Sequence, residues 1–210
     1  MKKFGVLLWV IIIGIILLLG GLYIYKKSGA ANGETESLLL APIPTIGGDF
    51  KLIDQKGREK TLADYRHKYL LVYFGYSFCP DICPTGLQAI TEAVNALGAK
   101  AKYVQPIFIT VDPTRDTSAH LGLYMENFHP KFDALTGSED AIREAMNAYK
   151  VYAAKAADPK GENTDYLVDH SSLIYLMDPN GDYLTHFTHA TPGDHIADKV
   201  RSIIAQQRGK

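Results

Sequence analysis

Cysteine is almost missing from this chain of 210 residues: there are two, both within Cys79-Pro80-Asp81-Ile82-Cys83-Pro84. A disulfide-stapled scaffold is excluded, because a pair closing so short a loop removes little unfolded-state entropy. The chain that follows the N-terminal segment is long enough to bury its own core without staples. No internal repeat or low-complexity tract is present, which excludes a repeat architecture. An excess of positive charge is missing too. After residue 27 the chain holds 18 of the 22 basic residues and all 23 acidic ones, a formal charge of −5, the wrong sign for a nucleic-acid partner. No cysteine lies near residues 20–30, which excludes a lipid-anchored exported protein.

What is present begins with one long apolar run. After Met1-Lys2-Lys3, the 22 residues Phe4–Tyr25 carry no charge and close on Lys26-Lys27. At about 1.5 Å per residue such a helix spans a ~30 Å hydrocarbon core, so residues 1–27 are expected to be a transmembrane anchor. A cleaved signal peptide is the alternative, with Ser28-Gly29-Ala30 as a faint cleavage site. The run exceeds the usual h-region of about 7–15 residues, which favours the anchor. Lysines flank both ends and barely orient it. A single N-terminal span leaves the long C-terminal part to be exported, and Met1-Lys2-Lys3 suits a bacterial cytoplasmic membrane better than an organelle import signal. Residues 28–48, with Pro42, Pro44, Gly47 and Gly48, read as a linker, and 49–210 as one domain.

Within that domain the patterning is mixed. Phe50–Ile53 and Glu59–Leu62 flank a polar turn and predict a hairpin. The apolar run Tyr69–Tyr76 predicts a buried strand, Pro84 to about Leu97 a helix, and Tyr103–Val111 a second apolar strand. Thr117–Phe128 and Ser138–Tyr149 read as helices. Leu173–Met177 and Tyr183–Phe187 bracket Asp178-Pro179-Asn180-Gly181-Asp182, a turn by its residue chemistry, before a last helix near Asp194–Gln206. This order predicts an α/β fold with thioredoxin-like topology and an N-terminal hairpin. Ligands of such sheets sit at the carboxyl ends of the strands, which is where Cys79 and Cys83 fall.

Two thiols at a strand exit point to redox exchange or metal binding, with a pair of buried free cysteines that do no chemistry as the plain alternative. Both precede a proline, and Pro84 suits the first helical position, so Cys83 is expected near the helix N-cap, where the positive end of the helix favours a thiolate. Three residues separate the cysteines, one more than in typical thiol oxidoreductases. Thiolates on one metal at about 2.3 Å lie roughly 4 Å apart, whereas a disulfide needs about 2.05 Å, so the longer loop relaxes the metal geometry without forbidding the disulfide.

A third ligand is sought among the seven histidines. His170 leads from Tyr166-Leu167-Val168-Asp169 into the Leu173–Met177 strand, with Asp169 and Ser171 beside it to orient an imidazole. A hydrogen-bonded structural histidine is the other reading of that position. His186 and His189 are spaced as a second metal pair or as alternating surface positions. His67, His120, His129 and His195 sit among polar neighbours and read as solvated. Asp112-Pro113-Thr114-Arg115-Asp116-Thr117 is good turn and helix-start chemistry. Its functional alternative has Asp112 or Arg115 tuning the thiolates or docking a recipient. Asp81 either caps the helix or raises the cost of a second thiolate.

Gly75-Tyr76-Ser77-Phe78-Cys79-Pro80-Asp81-Ile82-Cys83-Pro84, Thr110-Val111-Asp112-Pro113-Thr114-Arg115-Asp116-Thr117 and Asp169-His170-Ser171, in that order, resemble the Sco/SenC family of copper-binding assembly factors for cytochrome c oxidase. The likeness covers the domain from about Gly48 to the final helix and includes the anchor. It implies a thioredoxin-like fold, with Cys79, Cys83 and His170 as copper ligands. Two sulfurs and an imidazole suit Cu(I), tolerate Cu(II) and disfavour oxygen-preferring cations; zinc, the competitor, wants a fourth ligand in a structural site.

Two functions of different class follow. The first is a membrane-tethered copper chaperone, not an enzyme, serving the Cu-A subunit of cytochrome c oxidase, with other copper carriers or thiol oxidoreductases as further partners. The second is a thiol–disulfide oxidoreductase that keeps the recipient's cysteines reduced, with Cys79 and Cys83 as the redox-active pair. A peroxidase using Cys79 as nucleophile is a distant third.

Overall fold

A computed structural model describes residues 13–26, 45–156 and 166–208. The chain divides into two units, Met1–Pro44 and Thr45–Lys210. In the first, residues 13–26 form a helix (α1) whose side chains are all exposed. Among the described residues no helix is long and apolar enough to cross a membrane. Residues 1–12 and 27 of the expected anchor and 28–44 of the expected linker lie outside the described residues.

The second unit starts where the apolar patterning starts. Strands β1 (Lys51–Asp54) and β2 (Glu59–Thr61) pair antiparallel as the expected hairpin, Lys51 opposite Thr61. Its turn is organised by the Asp54 carboxylate, fully buried, which accepts from the backbone N–H groups of Lys56 and Arg58 and pairs with the Arg58 guanidinium at 2.7 Å. There follow β3 (Tyr69–Gly75), α2 (Ile82–Ala96), β4 (Val104–Thr110), α3 (Ser118–Met125), β5 (Asp133–Thr136), α4 (Glu139–Tyr149), β6 (Ala153–Lys155), β7 (Val168–His170), β8 (Leu173–Met177), β9 (Tyr183–Thr188) and α5 (Gly193–Arg208).

Seven strands form one sheet in the order β2-β1-β5-β4-β3-β8-β9, and β6 and β7 form a separate two-stranded sheet. At the centre β3, β4 and β5 run parallel, with β8 antiparallel to β3. A parallel strand covered on both faces has no solvent side, hence the continuous apolar run: all seven residues of β3 are buried. Its alternation splits the core in two. Tyr69, Leu71 and Tyr73 face Leu87, Ile90 and Val94 of α2 and Ile196 and Val200 of α5. Leu70, Val72 and Phe74 face Ile142, Ala145 and Tyr149 of α4. The expected α/β thioredoxin-like order is present. β3 and β4 end side by side, Gly75 opposite Thr110, so the cysteine loop and the Asp112–Thr117 loop leave the same sheet edge together.

Candidate metal centre

The loop after β3 is held from beneath. Asp116, fully buried, accepts from the Ser77 backbone N–H (3.0 Å), the Ser77 hydroxyl and the Thr110 hydroxyl (2.6 Å). Burial pushes the Asp116 carboxyl up, while the hydrogen bonds from Ser77 and Thr110 pull it down. Ser77 Oγ in turn accepts from His120 Nε2 at 2.8 Å, and the His120 ring stacks on Phe78 at 5.0 Å. His120 is therefore part of the loop's support rather than a solvated side chain. Cys79 closes the turn, its N–H donating to the Tyr76 carbonyl.

Helix α2 begins two residues earlier than the proline signal suggested. Asp81 is the N-cap position, without a side-chain capping bond, so Cys83 is the second helical residue instead of the cap and Pro84 the third. Proline is tolerated there because N–H groups of the first turn have no intrahelical acceptor. The backbone N–H groups of Asp81 and Cys83 act instead on Cys79, favouring its thiolate. The thiolate thus belongs to Cys79, not Cys83. A hydrogen bond from Cys83 holds the Cys79 thiol down at about 3 against the opposing effect of burial, helped by His170 and those two N–H groups. Cys83 goes the other way: its hydrogen bond to Cys79 and its complete burial push it up. The pair holds one proton between them.

His170 closes the site from β7. Nδ1 donates to the Ser171 carbonyl (3.1 Å), which turns Nε2 toward the sulfurs, 3.3 Å from Cys83 Sγ. Its ring packs edge-on to Tyr76, centroids 5.7 Å apart. The ligand atoms of Cys79, Cys83 and His170 all lie within 4.8 Å of one another, and among the described residues this group has no fourth member. Both cysteines are free and buried, and His170 is half-buried. Donors about 2.0–2.3 Å from one ion sit roughly 4 Å apart in a trigonal arrangement, so the three atoms fit a soft, three-coordinate ion with small adjustments.

Gly75, the last residue of β3, leaves room for this arrangement. A Cβ there would lie 2.7 Å from Cys83 Sγ and 3.0 Å from the Phe108 ring. Gly75→Ala is expected to cost about 1–3 kcal/mol as an overpacked core position, read as a lower urea midpoint, and to displace Cys83. An unchanged midpoint would contradict this packing.

The other histidines form no second site among the described residues. His186 Nδ1 meets the Tyr183 hydroxyl and His189 Nδ1 the Ser172 hydroxyl. In the Asp112–Thr117 motif, Thr117 caps α3 by accepting from the His120 N–H, and Arg115 donates to Asp112 at 2.5 Å. The role of Tyr166, whose hydroxyl donates to Asp112 at 2.7 Å, was not legible: nothing in its spacing marks it.

Fold and cluster together define a thioredoxin-like domain in which a strand-exit thiol pair is completed by a histidine. The chain belongs to the SCO1/SenC family, whose sequence profile matches residues 41–205. It is 42% identical over 185 residues to the mitochondrial SCO2 homolog of Bos taurus, an alignment covering 87% of this chain and 68% of that protein. Copper-bound ScoI of Bradyrhizobium japonicum superposes with a TM-score of 0.69 at 39% identity, covering 75% of this chain and 98% of the other. BsSco superposes at 0.59 with 28% identity, over 77% and 95%; it is a member of the Sco family of cytochrome c oxidase assembly proteins in which a disulfide switch was identified.

Proposed function

We propose that this chain is a membrane-anchored copper chaperone that binds copper through Cys79, Cys83 and His170 and takes part in assembling the Cu-A centre of cytochrome c oxidase. The observation that carries the reading is the convergence of two sulfurs and one imidazole nitrogen within 4.8 Å. The similarity to ScoI, a protein that binds copper, supports it. Copper is cargo here. A Cys79 thiolate supplies the charge, and a half-buried imidazole at the rim is the donor a recipient can displace first. The uncharged run Phe4–Tyr25 would tether the domain to a bacterial inner membrane, on its exported face.

The test is copper titration of the detergent-solubilised chain under reducing conditions, with X-ray absorption to count neighbours. Two sulfurs and one nitrogen per copper are expected. His170→Ala is expected to weaken binding by more than about 100-fold, since loss of a supporting group alone costs about 10–100-fold. Copper bound to His170→Ala as tightly as to the parent would refute the three-ligand site.

A second reading, thiol–disulfide exchange, is favoured by the shared proton of the cysteine pair. Cys79 thiolate attacks a recipient disulfide, Cys83 resolves the mixed disulfide, and two electrons pass to the recipient as Cys79–Cys83 closes. His170→Ala separates the readings: a copper chaperone loses its tight copper binding, whereas a reductase keeps both cysteines and its exchange reaction, slowed only by the share of the Cys79 thiolate that His170 supports.

A further inference from the structure

His170 and the cysteines reach the site on different sheets. Cys79 and Cys83 follow β3 of the main sheet, whereas β7, which ends on His170, pairs with β6 in the separate ribbon, Ala153 opposite His170. No ladder joins β7 to β3 directly: the backbone is fixed against β3 only from β8, which starts three residues beyond His170, so ahead of that point the imidazole is set by packing and side-chain ties. Two polar ties cross the gap. The Val168 N–H donates to the Tyr76 hydroxyl at 3.1 Å, and the Tyr166 hydroxyl donates to Asp112 Oδ1 at 2.7 Å.

Arg115 joins the two sides at one point. Its Nε donates to Asp112 Oδ2, the other oxygen of the carboxylate that Tyr166 reaches. Its guanidinium lies 3.7 Å from the Tyr166 ring centroid, 4.6 Å from that of Phe78 and 5.7 Å from that of Tyr76. Phe78 directly precedes Cys79, Tyr166 precedes His170 by four residues, and Tyr76 carries the His170 ring on its edge. Asp112 is buried and the Arg115 side chain is only 14% exposed; the cation is held by one ion pair through Nε and by the three rings, while its buried Nη2 has no hydrogen-bond partner among the described residues. A planar guanidinium can stack on rings and bond a carboxylate edge-on at once; a lysine ammonium cannot.

We propose that Arg115, ion-paired with Asp112 and sandwiched among Phe78, Tyr76 and Tyr166, is a cross-brace that sets the position of His170 against the cysteine pair. It touches neither the metal nor its ligands and is a positioning residue. The inference rests on the three-ligand reading above. It gives the Asp-Pro-Thr-Arg-Asp-Thr motif a task beyond starting α3: the motif carries both the anchor of the cysteine loop, Asp116, and the brace for the histidine strand.

The experiment is a double-mutant cycle on the full chain in detergent, with Cu(I) affinity measured by competition against a chelator of known strength. Arg115→Lys is expected to weaken binding about 10–100-fold in the parent, as for other groups that orient a ligand, and less than about threefold in a His170→Ala background, because the brace then has nothing to position. In the metal-free protein the His170 ring nitrogen resonances should shift or broaden in Arg115→Lys. Tyr166→Phe keeps the ring beneath the guanidinium, loses the bond to Asp112, and should show the same pattern more weakly. Should Arg115→Lys fail to fold, the Tyr166→Phe cycle is the deciding measurement. Equal losses in both backgrounds, or none in either, would overturn the brace. A His170→Ala protein that binds copper like the parent would instead overturn the three-ligand site, and the two failures are distinct.

Discussion

Cys79→Ser is expected to abolish tight copper binding and to flatten the pH dependence of the metal-free protein's stability. Both effects have one origin, the thiolate that the fold stabilises on Cys79. The hydrogen bond from Cys83 and the N–H groups of Asp81 and Cys83 bring its titration to about 3, from an ordinary cysteine value of 9.0. A serine hydroxyl stays protonated throughout this range and offers copper neither charge nor a soft donor. Loss of more than about 100-fold in Cu(I) affinity is expected, beyond what loss of an orienting group costs.

The pH effect follows from proton linkage. Between about 3 and 9 the unfolded chain holds a proton on Cys79 that the folded chain lacks, so stability rises with pH over this interval and is lost as pH falls through 3. Cys83 has the opposite sign. Its titration is raised in the fold, so its contribution is present below 9.0 and lost as pH rises above it. The gain in the parent should therefore stop near pH 9, with a slope of at most about 1.4 kcal/mol per pH unit below it. Urea unfolding of parent and variant at pH 5, 7 and 9 isolates the cysteine contribution from other titrating groups. A Cys79→Ser protein that tracks the parent at all three pH values, or binds copper within tenfold of it, would show that the charge is not on Cys79.

The same local chemistry explains what could be read in advance and what could not. Strands β3, β4 and β8 announce themselves because a strand buried on both faces must be apolar throughout, and the caps Ser138 and Thr117 mark two helix starts because their hydroxyls accept the orphan N–H groups. Strand β5 escapes. Asp133-Ala134-Leu135-Thr136 is short, begins with a carboxylate and owes its extended form to pairing with β4 on one side and β1 on the other, a tertiary cause with no local signature. The β6–β7 ribbon is hidden for the same reason. At the site, the spacing of Cys79 and Cys83 identifies the pair, but which sulfur carries the charge depends on where α2 starts, and the two prolines pull that expectation two residues too far along. His170 stands 87 residues beyond Cys83, and only the folded sheet brings Nε2 to 3.3 Å from its sulfur.

Asp116→Ala is expected to be the most destabilising single change in the site region, because it removes one acceptor and strands three donors. The Ser77 N–H, the Ser77 hydroxyl and the Thr110 hydroxyl all point at this carboxylate, which is fully buried. A stranded buried donor costs about 1–3 kcal/mol, toward the lower end at the half-buried Ser77, so a loss of about 3 kcal/mol is expected, a large fraction of the ~5–15 kcal/mol that holds a domain together. The loss propagates along a definite path. Ser77 Oγ is also the acceptor for His120 Nε2, His120 stacks on Phe78, and Phe78 is joined to Cys79, so the loop that presents the thiolate loses its floor and one wall together. Asp116→Asn should fall between parent and alanine: its carbonyl oxygen can still accept from Ser77, but its amide nitrogen turns a donor toward a donor. Chemical denaturation gives the stability order parent, asparagine, alanine, and the thiol titration of Cys79 should move up toward the ordinary cysteine value in the same order as its helix-end contacts loosen. Alanine within about 1 kcal/mol of the parent would mean that water replaces the carboxylate at no cost, and that Asp116 does not support the cysteine loop.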